Sequence, residues 1–307
     1  MAETNSLRAL HRFSIVTASA TVCLLVAGAL VTGNDAADSV PDWPLAYGRI
    51  IPPLIGGIRY EYAHRVVAAL VAILTITLAI WISRSAVRGP APRWGWAAVA
   101  LVLAQAGLGG LRVRLGHPAL IATAHATLAQ IFFLTVAGLT LLTSDWWQRD
   151  LPALDDAGSP RLSSLSLWTT AAILIQLVLG AAFRHGAFGI LPHLIGAAVV
   201  LFLAVWTSRT VRERFIASSD LRRWAVLLQA FLGTQILLGF AAYWAVAESV
   251  KAVQPVLLYV LIEVAHVVLG ALTLAASVLL ALTCFRLFRR AASVAVSASA
   301  QKAGARP

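Results

Sequence analysis

Gly56-Gly57-Ile58-Arg59-Tyr60-Glu61-Tyr62-Ala63-His64-Arg65 opens onto an apolar run from Val66 to Ile82, and that passage from charge into hydrocarbon decides how the rest of the chain is read. The run and its entrance together reach the roughly 20 residues a helix needs to cross a bilayer core. On a helix Glu61 lies three residues from His64 and four from Arg65, so one face offers a carboxylate to an imidazole and a guanidinium. Ionisable groups at the mouth of a span are costly, which makes them a functional-site hypothesis with named partners. The competing interpretation is an interfacial anchor, with Arg65 snorkelling, Glu61 as its counter-ion and His64 filling space.

Composition agrees with a membrane setting. The chain is 60% hydrophobic and 12% charged with a mean hydropathy of +0.82, against about 25% charged for a soluble domain. A net charge of +11 would suit nucleic acid, but the cations sit between apolar runs rather than on one patch, so nucleic-acid binding is set aside. Cys23 and Cys284 lie inside apolar runs near opposite chain ends and supply neither a disulfide framework nor a thiolate metal site. Arg8 and Arg12 precede the first apolar run as in a signal peptide, yet no small-residue cleavage site follows, and the run is read as a retained span.

Eight runs approach spanning length: 12–32, 60–83, 94–113, 119–143, 165–183, 188–208, 222–245 and 255–286. The fifth and sixth are separated only by Arg184-His185-Gly186-Ala187, which implies a tight hairpin. Placing the N-terminus inside puts most of the 24 Lys and Arg residues on the cytoplasmic side, including the Arg209–Arg223 and Arg286–Arg306 groups. Arg49, Arg59, Arg65, Arg112, Arg114, Arg184 and Lys251 remain at the outer side. The expected fold is therefore an all-α membrane protein of eight transmembrane helices, in two pseudo-repeated four-helix bundles with both termini cytoplasmic. Its parts are an N-terminal bundle (1–143) with a long outer loop (33–59), a cytoplasmic linker (144–164), a C-terminal bundle (165–290) and a disordered Ala-Ser-rich tail (291–307). A loop as long as 33–59 is functional or disordered, and headgroup-level anchoring is the plain explanation of its Trp43 and Tyr47.

The halves share a recurring unit: a glutamine, Leu-Gly three residues later, a polar turn, then a histidine entering the next helix. It occurs as Gln105, Leu108-Gly109 and His125; as Gln176, Leu179-Gly180 and His193; and as Gln235, Leu238-Gly239 and His266. Duplication is the economical explanation. The first hairpin is more diverged but ends in His64, so each even-numbered span carries one histidine, towards the outer leaflet. Four residues after each stands Ala68, Ala129, Ala197 or Gly270, which leaves room for something flat and large, although small residues also simply let membrane helices pack closely. Imidazoles from facing helices are how bundles hold haem iron axially, and four at equivalent places favour ligation over packing. His11, His117 and His185 fall outside this pattern and read as solvated; Arg112, Arg114 and Arg184 are better candidates for gripping haem propionates. Glu263 precedes His266 as Glu61 precedes His64, but Val267 replaces the neighbouring arginine.

These strings resemble the bacterial haem A synthase family, whose members convert haem O to haem A for terminal oxidases. The resemblance rests on Pro41-Asp-Trp-Pro-Leu-Ala-Tyr-Gly48, Gly57-Ile-Arg-Tyr-Glu61-Tyr-Ala-His64-Arg65, Gln105-Ala-Gly-Leu-Gly-Gly-Leu-Arg112 and Ala124-His125-Ala-Thr-Leu-Ala-Gln130. It is densest over residues 28–135. It implies a haem O substrate held between His64 and His125 with Arg65 nearby, and a permanent haem b between His193 and His266 as an electron relay. It further implies Glu61 as catalytic carboxylate, a haem methyl oxidised to formyl by successive hydroxylations, a multi-pass place in the bacterial inner membrane, and an electron donor and a haem O synthase as partners. Many relatives carry two cysteines in the first outer loop; here Val40 and Ala46 stand in that region, so the chain reads as a member of a cysteine-free subgroup in which a loop thiol plays no part.

Two readings from other classes use the same residues. A dihaem cytochrome b-type electron-transfer protein needs the four histidines but neither Glu61 beside His64 nor a loop able to cover a substrate. A transporter would call for more buried charge than this chain carries.

Overall fold

The computed structural model describes the backbone of residues 2–116, 118–249 and 254–304, and the side chains of residues 5–116, 118–248 and 254–288. His117 and Lys251, expected in outer turns, and residues 305–307 of the tail lie outside the described residues. Among the described residues every regular element is a helix: α1 (Ala2–Gly33), α2 (Ile58–Ser83), α3 (Ala91–Arg114), α4 (Ala119–Leu142), the short α5 (Asp145–Gln148), α6 (Leu162–Arg184), α7 (Leu191–Arg214), α8 (Ser219–Ser249) and α9 (Leu257–Gly304). All but α5 are long and apolar enough to cross a membrane, and they account for the eight expected spans.

Local sequence sets the helix ends. Pro92 and Pro192 sit in the first turns of α3 and α7, where a missing N–H costs nothing. The α6 terminus is a Schellman motif: Gly186 takes φ +73°, its N–H meets the Phe183 carbonyl at 3.1 Å, and Ala187 N–H reaches the Ala182 carbonyl at 2.8 Å. That turn brings Arg184 and His185 back over the molecule.

The spans form two closed rings of neighbours: α1–α2–α3–α4, with α4 returning to α1, and α6–α7–α8–α9, with α9 returning to α6. Buried apolar side chains follow the same division. Leu10, Leu78, Ile82, Val136 and Leu139 belong to one core, and Leu162, Val211, Leu221, Leu228, Leu274 and Leu280 to another. Leu25, Phe133, Ala137, Ala271 and Ala275 form a smaller seam, where α1 and α4 meet α9. Successive spans run antiparallel, so the loop 34–57 and the starts of α2, α4, α7 and α9 share one end of the molecule, here the loop end; α5 and its flanks occupy the other, the linker end.

The C-terminal tail differs from expectation. The backbone of 291–304 continues α9 where a disordered tail was expected, in keeping with the high helix propensity of its alanines. The 144–164 linker is ordered by its own polar groups. Ser144 caps α5 by accepting from Trp147 N–H, and Asp156 accepts from Leu162 N–H (2.8 Å) and from Ser163 N–H and hydroxyl (3.0 and 2.6 Å), capping α6. Arg286 of α9 donates to the Trp147 and Arg149 carbonyls at 3.0 and 2.7 Å.

Candidate functional site

The loop end of the first ring is built around Glu61, which is 5% exposed. One carboxylate oxygen accepts from Arg65 at 2.6 Å, and the other accepts from Val40 N–H at 2.9 Å. Arg65 then donates to the carbonyls of Asp42 and Leu45 at 2.8 and 2.9 Å. The i,i+4 pair read from sequence thus forms, and both partners also fasten the outer loop, whose Val40 is fully buried. Asp42 tightens the loop by accepting from Tyr47 and Gly48 N–H groups at 2.6 and 2.8 Å. The N–H of Gly48, and that of Tyr47 after it, hold this exposed carboxyl below its usual range. Trp43 lies against Gly110 of α3, where a Cβ would stand 2.7 Å from its ring, so the loop folds over the helix that faces His125.

All four histidines sit half-buried near the loop end. His193 and His266 stand ring to ring across the second bundle, with centroids 6.4 Å apart and planes at 74°. Two metal–nitrogen bonds of about 2 Å plus two ring radii put coordinated imidazole centroids roughly 6 Å apart, so this pair fits a shared axial metal. His64 and His125 lie near enough to each other to interact electrostatically. The glutamine of each repeated unit lies beside its histidine. Gln105 donates to the His125 carbonyl at 2.9 Å, Gln176 to the His193 carbonyl at 2.9 Å, and the Gln235 amide nitrogen stands 3.4 Å from His266 Nε2. The Nδ1 atoms of His64, His125 and His266 are buried without a close partner, as are the side-chain oxygens of Gln105, Gln176 and Gln235.

The second carboxylate has found another arginine. Glu263 pairs with Arg184 at 3.1 Å, and Arg184 also donates to the Thr32 carbonyl of α1 at 3.2 Å. The cation that Val267 leaves out of α9 is therefore supplied by α6 of the same ring. Among the expected propionate-binding arginines, Arg184 is thus engaged and Arg114 is exposed, whereas Arg112 is half-buried with its Nε unpartnered, in the field of Asp38 and Glu61. Two histidines expected to be solvated are not. His185 is half-buried beside Arg112 and Arg184, and burial, reinforced by those cations, pushes it down to about 4. His11 lies inside α1, with Nδ1 3.4 Å from the Thr143 hydroxyl. Neither contact has a local signal, because both join helices remote in sequence. Gly270, expected to leave room beside His266, instead lies close to Leu177 and Gln235.

An eight-span helical bundle with imidazoles gathered at one end of each ring is a multi-pass membrane protein. A family profile described as cytochrome oxidase assembly protein matches residues 57–191. The protein named heme A synthase of Symbiobacterium thermophilum is 26% identical over 266 residues, covering 76% of this chain and 85% of that one. Its namesake in Shouchella clausii is 25% identical over 272 residues, covering 76% and 89%. In Alkalihalophilus pseudofirmus a third is 34% identical over 134 residues, covering 42% and 45%. Over these stretches the chain is similar to proteins named heme A synthase, and its eight apolar helices make it a multi-pass bacterial membrane protein.

Proposed function

We propose that the protein oxidises a methyl group of haem O to a formyl group by successive hydroxylations, with haem O in the first ring and a resident haem b in the second. The observation that carries the reading is the 6.4 Å separation of His193 and His266, the two residues that would hold the iron of such a haem. Haem b bound there supplies one-electron transfer. His64 and His125 hold the substrate in the equivalent place, with Arg65 and the half-buried Arg112 as cations for its carboxylates. Oxidising a C–H bond releases protons, and Glu61, held by Arg65, is the carboxylate placed to accept one. The latched loop covers the site and keeps water from it. Partners are a haem O synthase as the source of substrate and an electron donor. The linker end and both termini face the cytoplasm and the loop end faces outward, and the two rings descend from one duplicated bundle.

The matching arrangement of glutamine and histidine in both halves favours one other reading, a dihaem cytochrome b that only transfers electrons. Co-expression with a haem O supply, in a host lacking its own enzyme, separates the two through chromatography of extracted haem. Haem A beside haem b supports the synthase; haem b alone, in equal amounts in both halves, supports the cytochrome.

A further inference from the structure

Each of the four histidines faces a glycine on the preceding helix. A Cβ added at Gly28 would stand 3.2 Å from His64 Cε1, at Gly109 3.3 Å from His125 Cε1, at Gly180 2.9 Å from His193 Cε1, and at Gly239 3.3 Å from His266 Cε1. Nδ1 is the next-nearest ring atom in every case, so the same imidazole edge is turned to the glycine each time. Each ring also lies in the electrostatic reach of a backbone carbonyl, those of Leu24, Gln105, Gln176 and Gln235 respectively, although no hydrogen bond closes there: Nδ1 of His64, His125 and His266 is unpartnered, and that of His193 stands 3.0 Å from the Gln176 amide nitrogen. Each carbonyl belongs to the residue four before the glycine.

The coincidence has a mechanical cause. In an α-helix the carbonyl of residue i−4 accepts from the N–H of residue i and lies beside that residue's Cβ. Removing the side chain at i uncovers the carbonyl, whose second lone pair is still free. An interior glycine costs about 1 kcal/mol relative to alanine, so four at matching places call for a compensating role. Close helix packing is the usual one, but here the nearest foreign atoms are imidazole rather than backbone. Gly107 of α3 and Gly233 of α8 meet nothing within 4 Å, so glycine on these helices does not by itself mark an imidazole.

We propose that Gly28, Gly109, Gly180 and Gly239 are positioning residues that seat the Nδ1 edge of each histidine against a backbone carbonyl and so present Nε2 to a metal. A ligating histidine ordinarily donates its other ring N–H to such an acceptor, which fixes both tautomer and ring orientation. Leu24 and Gly28 supply in the first hairpin what Gln105 and Gly109 supply in the second, because the carbonyl is backbone and the side chain at that position is free to vary. The inference rests on the haem-binding reading above and specifies how the chain prepares its ligands.

The test uses Gly180→Ala, Gly109→Ala and the controls Gly107→Ala and Gly233→Ala in the full-length protein purified with its haem. The measurements are haem content and the low-spin ferric signal by electron paramagnetic resonance, before and after adding free imidazole. Gly180→Ala is expected to lose the low-spin signal that His193→Ala abolishes, Gly109→Ala to lose part of the signal that His125→Ala abolishes, and the controls to match wild type. Free imidazole restores the lost signal, since it replaces a displaced ligand but repairs no misfolded bundle. Wild-type signals in Gly180→Ala, equal losses in the controls, or losses that imidazole does not restore would overturn the proposal. A wild-type protein with no bis-imidazole signal would defeat the functional reading itself, and this inference with it.

Discussion

Glu61 ties Val40 and Arg65 into the loop cover, and in the proposed reaction the same carboxylate accepts a proton. Glu61→Gln keeps an oxygen able to accept one of these bonds. The variant is expected to retain haem and the folded loop while forming no haem A, checked by chromatography of extracted haem; normal haem A output would remove Glu61 from the reaction. Asp42 governs the loop differently. Its folded-state carboxyl titrates below its usual value, chiefly through Gly48 N–H, so it stabilises the loop above about pH 4 and loses that effect as pH falls through the lowered value. Limited proteolysis between residues 39 and 49 is expected to accelerate only in strong acid for wild type, and to be fast and nearly independent of pH in Asp42→Ala. The Glu61–Arg65 pair was legible in the sequence because both residues share one helix face. Arg184 with Glu263, and His185 beside Arg112, were not, because each joins helices that only tertiary packing brings together.

The elements were legible where hydrophobicity alone decides them, and all eight spans lie close to the apolar runs that announced them. Their ends were less so. α7 continues to Arg214 and α9 to Gly304, because a helix does not stop where its apolar stretch does. The order in the linker was hidden for a different reason: Ser144 and Asp156 are residues of turns and of caps alike, and only the following helix distinguishes the two uses. Packing between neighbouring spans is close at Gly138 of α4, where a Cβ would collide with the Trp94 ring of α3. Gly138→Ala is expected to cost about 1–3 kcal/mol, read as a lower thermal midpoint in detergent, while Gly107→Ala leaves the midpoint unchanged or raises it.

At the scale of the molecule, two rings share a seam in which α9 lies against α1 and α4, and Arg184 spans it from Glu263 to the end of α1. The bias of positive charge predicts an orientation for this assembly. With Cys23 and Cys284 replaced by alanine, Ile51→Cys should react with an impermeant maleimide on intact cells, and Asp155→Cys only after permeabilisation; the reverse pattern would invert the topology. The repeated Gln-x-x-Leu-Gly unit and its histidines pointed to the two rings, and the family resemblance already implied their pairing; the fold brings His193 and His266 ring to ring. That pairing is tested most directly by near-infrared magnetic circular dichroism of the haem-loaded protein, which reports the axial ligands of ferric iron. Ligation by pairs predicts bis-imidazole signals from two centres, one removed by His64→Ala or His125→Ala and the other by His193→Ala or His266→Ala. If histidines of different rings removed the same centre, or if no single replacement removed either, ligation by one pair per ring would be contradicted.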